Sequence, residues 1–258
     1  MSFFKKLAAS AGIGAAKVDT ILEKNAYYPG QEVRGTVHAK GGKISQDIRY
    51  IDVKIQTQYV IVQGDEERRK YVDIFSLRVT DSFTIQPGEK HEFPFSFILP
   101  IDTPMTIGKV EIAVVTDLDT QGGIDKSDYD RIFVEAHPWV KNVLEATSHL
   151  GFHLNEADCE QAPYFQRRLP FVQEFEFIPT SDDYRYMLDE LELIFLIDEG
   201  GLDIVFEVDR RARGLRGWLE EMYHDGEQLV RYRFSPSDLE DVEVLVGMLE
   251  GIIDQFAE

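Results

Sequence analysis

Twelve residues near the middle of the chain, DLDTQGGIDKSD (Asp117–Asp128), carry acids at the first, third, ninth and twelfth positions and glycine at the sixth. That spacing is close to a calcium loop, in which carboxylates converge on a hard cation around a sharp turn. Asp117, Asp119, Asp125 and Asp128 are the candidate metal ligands. Two features depart from the pattern: Gln121 holds the fifth position, and the short Asp128 stands where a bidentate glutamate is usual. The flanks KVEIAVVT and YDRIFVE read as strands, whereas an EF-hand needs helices. A solvated acidic turn is the competing reading, and the expectation is that no metal or cofactor is held.

Other candidate chemistry is sparse. His149 and His153 would share one face of a helix, as a zinc pair does, but Gly151 lies between them and strand alternation begins there. The single cysteine, Cys159, sits in NEADCEQAP, where Asp158 and Glu160 raise a thiol pKa rather than lower it. Glu190 and Glu192 in LDELEL are spaced for an acid/base pair. In a strand they point one way with Leu191 and Leu193 opposite, which reads as a solvated sheet face. No glycine-rich phosphate loop, nucleophile elbow or Cys-x-x-Cys is present. The expectation is a protein that is not an enzyme.

Charge narrows the partners. The net charge is −20. Residues 1–137 carry 17 Lys+Arg and 20 Asp+Glu, a net of −3, while residues 138–258 carry 10 and 27, a net of −17. Such a chain is repelled by nucleic acid and by anionic lipid, and favours basic protein surfaces. One cysteine excludes an internal disulfide and suits a reducing, cytoplasmic setting. No stretch has the ~20 apolar residues of a membrane span. The N-terminal segment lacks a sustained apolar run and reads as a short amphipathic arm using Phe3, Phe4 and Leu7.

The elements that must position these residues are mostly strands. Ile51, Val53, Ile55, Thr57, Tyr59 and Ile61 alternate with mainly polar residues, and Phe93, Phe95, Phe97 and Leu99 repeat the period of two. Further strands are expected at about 16–24, 31–39, 71–80, 109–116 and 131–136, with turns at Gly41-Gly42, Gly64-Asp65-Glu66 and Pro87-Gly88. After His137-Pro138 a short connecting helix is expected, with Val140, Val143, Leu144 and Thr147 on one face. Strands resume at 150–157, 171–178, 187–197, 202–209 and 227–234. The fold class expected is all-β: two tandem antiparallel β-sandwich domains at 1–137 and 138–258. A final amphipathic helix is expected over 237–258, capped by Ser237 with Glu240 completing a capping box. Its apolar stripe includes Leu245, Leu249, Ile252 and Phe256, which pack on the second domain, on the same helix of another subunit, or on a partner protein.

Two of these segments carry a family likeness. YYPGQEVRGTV resembles the Y-x-P-G-E-x-V-x-G-x-V hairpin that opens arrestin-type N-terminal domains, and HEFPFSFILP resembles the matching F-P-F-x-F-x-L-P strand. Over about residues 1–235 the chain resembles the bacterial sporulation-control (stage zero M) family, built on an arrestin-like fold. The likeness runs through GIGAAKVDTIL, VVTDLDTQGGIDKSDYDRIFV, RRLPFVQEFEFIP and LDELELIFLIDEGGLDIVFEVDRRARGLRGWLEE in order. It implies a non-enzymatic cytoplasmic adaptor or regulator on which other proteins dock, with strand addition as one mode. The basic groove with which arrestins hold phosphorylated tails is not carried over, because the N-terminal half is near neutral.

Overall fold

The computed structural model describes residues 14–63, 66–122, 125–165, 167–209 and 230–257. Phe3, Phe4 and Leu7 of the expected N-terminal arm, and the start of the strand expected at 227–234, lie outside these residues. The architecture is all-β with a C-terminal helix, and the chain divides into two compact units. One unit gathers the residues up to Thr57 with Tyr71–Pro100 and Glu111–Val134; the other gathers Gln58–Lys70, Ile101–Val110 and the chain from Glu135 onward.

In the first unit, β1 (Lys17–Leu22), β3 (Glu32–Lys40) and β7 (Lys90–Ile98) form an antiparallel sheet in the order β1-β3-β7. The short β2 (Ala26–Tyr27) pairs parallel to β9 (Lys126–Val134), which pairs with β8 (Ile112–Thr120). β8 pairs in turn with β4 (Gln46–Gln63), which also pairs with β5 (Glu66–Thr80) and β6 (Phe83–Ile85). The alternation in β4 is realised: Ile51, Val53 and Ile55 are fully buried, each contributing about 1.5–3 kcal/mol.

The YYPGQEV segment is a turn with a tertiary function. Gln31 N–H donates to the Tyr28 carbonyl at 3.0 Å, and Gly30 has φ +87°. Proline then glycine at the two central positions is what a type II turn requires. Gly30 N–H donates to the Leu99 carbonyl at 2.8 Å, and Leu99 N–H donates back to Gln31 at 2.9 Å. From there β3 and β7 run in register, with Val33 opposite Phe97, Gly35 opposite Phe95 and Val37 opposite Phe93. The two motifs that carried the family likeness are therefore hydrogen-bonded neighbours.

In the second unit, β10 (Phe152–Gln161), β11 (Phe171–Pro179), β12 (Glu190–Asp198), β13 (Gly201–Asp209) and β14 (Val230–Phe234) pair antiparallel in chain order. Helices α1 (Pro138–His149) and α2 (Val242–Ala257) share one core with this sheet. Val140 and Val143 from α1, Phe175, Leu191, Leu193 and Ile204 from the sheet, and Leu245 and Leu249 from α2 meet there. Proline at the first position suits the start of α1.

α2 begins at Val242 rather than at 237. Ser235 N–H and Oγ both donate to the Asp238 carboxylate, at 2.8 and 2.6 Å, so this stretch closes a turn of its own. The helix is capped instead by Asp241, whose Oδ1 accepts from Glu243 N–H at 2.9 Å.

The second unit also takes in the far end of the β4–β5 pair. Val60 on β4 pairs parallel with Glu160, the Tyr59 ring stacks on Phe171 with centroids 5.5 Å apart, and Arg69 on β5 forms an ion pair with Asp158.

Candidate functional site

The four aspartates of the calcium-like spacing do not converge. β8 and β9 are paired with Thr116 opposite Asp128 and Asp117 opposite Ser127, so the pleat sends Asp117 and Asp128 to opposite faces. Each has its own partner. Asp117 accepts from Ser127 Oγ at 2.6 Å and meets Lys54 Nζ at 3.0 Å. Asp119 is held by both arms of the Arg49 guanidinium, Asp125 accepts from Thr120 N–H at 2.9 Å, and Asp128 accepts from Thr20 N–H at 2.7 Å. Among the described residues no group of three or more His, Cys, Asp and Glu is arranged to hold a metal ion.

The remaining sequence candidates are also dispersed. His149 lies in the last turn of α1 and His153 on β10, so they do not share a helix. Cys159 is buried; burial first, and the Asp158 carboxylate next, push its thiol well above the ordinary value. Glu190 and Glu192 do point opposite Leu191 and Leu193, but their face is not solvated: they are 8% and 4% exposed. The register explains where they sit. Glu156, Glu176, Glu192 and Glu207 lie opposite one another across β10, β11, β12 and β13, forming one carboxylate row.

Like charges in register repel, and the row relieves this in three ways. Lys109 pairs with Glu156, and Asn155 Nδ2 donates to Glu176 at 2.6 Å. Beside the row, the Glu174 carboxyl is pushed well up by burial and by its hydrogen bond with Glu192. Two carboxyls joined this way share a proton. Sequence reasoning missed Glu174 and Glu176. The same alternation that marked Glu190 and Glu192 runs through QEFEFIP, with Phe175 and Phe177 in the core.

The first unit holds a second acid cluster. Asp130 on β9 is buried at Oδ2 with no hydrogen-bond partner among the described residues, and it lines a shallow depression of about 340 Å³ with Thr20, Glu23 and Arg131. Desolvation, then Asp128 and Asp19, push its pKa up to about 6. Folding therefore raises this carboxyl above its unfolded value of about 4. Its contribution to stability is full below that unfolded value and is lost as pH rises through about 6.

Asp130→Asn removes the ionisation and should stabilise the unit above pH 7. The gain is about 1 kcal/mol after allowance for solvent screening, and it should vanish near pH 4. Urea unfolding of both proteins at pH 4, 5, 6 and 7.5 measures it, and parallel profiles would contradict it.

The stripe of the terminal helix faces its own unit. Leu245, Leu249 and Ile252 are 0%, 1% and 6% exposed in the core of the second unit, and Phe256 packs partly buried against it. α1 holds the approach to this helix through Asn142 Nδ2, which donates to the Leu239 carbonyl at 2.8 Å. The helix surface left to solvent is the opposite one, carrying Val244 and Met248.

Comparison with known proteins gives consistent answers. A family model described as SpoOM protein (Spo0M) matches residues 4–212. The chain is 79% identical over all 258 residues to the sporulation-control protein spo0M of Bacillus subtilis (strain 168), covering the whole of both sequences. It is also similar to the crystal structure of Spo0M, sporulation control protein, from Bacillus subtilis, with a TM-score of 0.91 and 77% identity. That match covers 95% of this chain and 100% of the other.

Proposed function

The chain belongs to the Spo0M family, and from that membership we propose that it is a regulatory protein of sporulation control that acts by docking to other proteins. The observation that carries the reading is 79% identity, over the full length of both chains, to a sporulation-control protein.

The site geometry supports a docking role over catalysis. The residues best suited to chemistry are committed to structure: the candidate aspartates to separate ion pairs and backbone amides, and Cys159 to the core. Among the described residues no helix is long and apolar enough to cross a membrane, in keeping with action in the cytoplasm.

Two measurements test this. Expressed in a Bacillus subtilis strain lacking its own relative, the chain should restore sporulation; failure at equal protein level would count against the regulatory role. Crosslinking and affinity capture from those cells should return a reproducible set of proteins. Background alone would remove docking as the mechanism.

A further inference from the structure

We propose that the outward face of α2 docks a basic amphipathic helix of a partner protein; the inference rests on the docking role proposed above. At 100° per residue the helix has three parallel edges on its solvent side. Glu243 and Glu250 form one edge, continued by Asp254, which accepts from the Tyr184 hydroxyl of its own unit at 3.0 Å; Gly247 and Gly251 form the middle, and Val244 and Met248, with Gln255 at the C-terminal end, the other. Val244 is 48% and Met248 36% exposed, while the inward residues of the same helix are buried. Apart from the adjoining backbone of the helix itself, a Cβ placed on Gly247 or Gly251 would meet no atom of the described residues within 4 Å.

The glycines weaken the helix and give its own unit no close contact in return. What they provide is a shallow trough, a carboxylate rim on one side and an apolar rim on the other, that admits another backbone closely.

Charge identifies the occupant. Residues 234–258 contain seven Asp and Glu and no Lys, Arg or His. A second copy would set acid against acid, and like-charge juxtaposition opposes association. Anionic lipid is repelled in the same way. A helix with Lys or Arg along one side and Leu or Ala along the other satisfies both rims, which is helix recognition by side chains at spacings of three and four.

The probe is a synthetic amphipathic peptide of about five helical turns, Leu and Ala on one face and Lys on the other, titrated by fluorescence anisotropy into the full-length protein at physiological salt. Gly247→Leu and Gly251→Leu fill the trough and remove glycine, so they should keep or raise the melting temperature. Each should weaken binding at least about ten-fold. Glu243→Gln with Glu250→Gln should weaken it about three-fold, with a shallower salt dependence.

Equal affinity for wild type and both leucine variants would place the peptide elsewhere on the acidic surface and overturn the assignment. So would equal binding of a peptide with Glu in place of Lys, or concentration-dependent self-association, by light scattering, that the leucine variants abolish. If native partners are still captured by crosslinking with the leucine variants at wild-type yield, docking stands and this surface for it falls.

Discussion

Arg69→Met is expected to destabilise the second unit by about 3 kcal/mol, because it strands a buried carboxylate. The Asp158 side chain is 7% exposed. It is held by both arms of the Arg69 guanidinium and by Cys159 N–H at 2.8 Å. Arg69 itself is 37% exposed, so water supplies part of what the variant loses, and the expectation lies at the low end for a broken buried pair.

Two controls separate the charge from the packing. Arg69→Lys keeps the charge but not the two-pronged geometry and should fall between. Arg69→Met combined with Asp158→Leu removes both charges and should recover most of the loss. Chemical denaturation gives all three values. A single variant within 1 kcal/mol of wild type, or a double variant no better than the single, would refute the account.

Gly41→Ala is expected to cost the first unit about 3 kcal/mol or more, a large effect for one methyl group. A Cβ there would lie 1.9 Å from the Gln86 carbonyl oxygen and 3.0 Å from its carbon, which are backbone atoms that no rotamer can move aside. Those atoms are fixed by the turn they belong to: Glu89 N–H donates to Gln86 at 3.0 Å, Gly41 N–H to Glu89 at 2.8 Å, and Gly88 N–H back to Gly41 at 3.2 Å. Gly88 is the useful comparison. Its φ is +76° but its Cβ position is open, so Gly88→Ala should cost only about 1–2 kcal/mol, from backbone strain alone. Melting temperatures of the two variants test the contrast, and equal shifts would disprove the close-approach argument.

Gly41-Gly42 was legible as a turn, but the reason for glycine at 41 was not, because it is a contact with residues 45 positions away. The same division runs through the molecule. Strand alternation at Ile51 to Tyr59 could be read directly, since burial follows the side-chain period. The likeness of YYPGQEV and FPFSFILP marked two segments, and their hydrogen bonds make the likeness physical.

Register was not legible, and the site depends on it. Spacing alone put Asp117 and Asp128 in one loop, whereas the β8–β9 pleat sends them apart. Glu190 and Glu192 read as solvated because a single strand cannot say that Glu176 and Glu207 stand beside them. At the terminal helix, Ser237 was a reasonable cap by type. Ser235 and Asp238 bind each other first, and the helix waits for Asp241. The stripe of α2 allowed packing on the second domain as one of three readings, whereas nothing in the alternation at 150–234 said that α1 joins the same core.

The interleaving of the units bears on synthesis at the ribosome. The described strands of the first unit are all made once Val134 has emerged, while the rest of the chain is still being synthesised. By then Gln58–Lys70 and Ile101–Val110 have already left the exit tunnel, although the sheet they join begins only at Phe152. During that interval Tyr59 has no Phe171 to stack on and Arg69 has no Asp158 to pair with. The nascent protein passes through a stage with one aromatic ring and one guanidinium lacking their later partners at that end of the β4–β5 pair. A fragment cut near residue 137 would hold Gln58–Lys70 and Ile101–Val110 permanently without the strands they join.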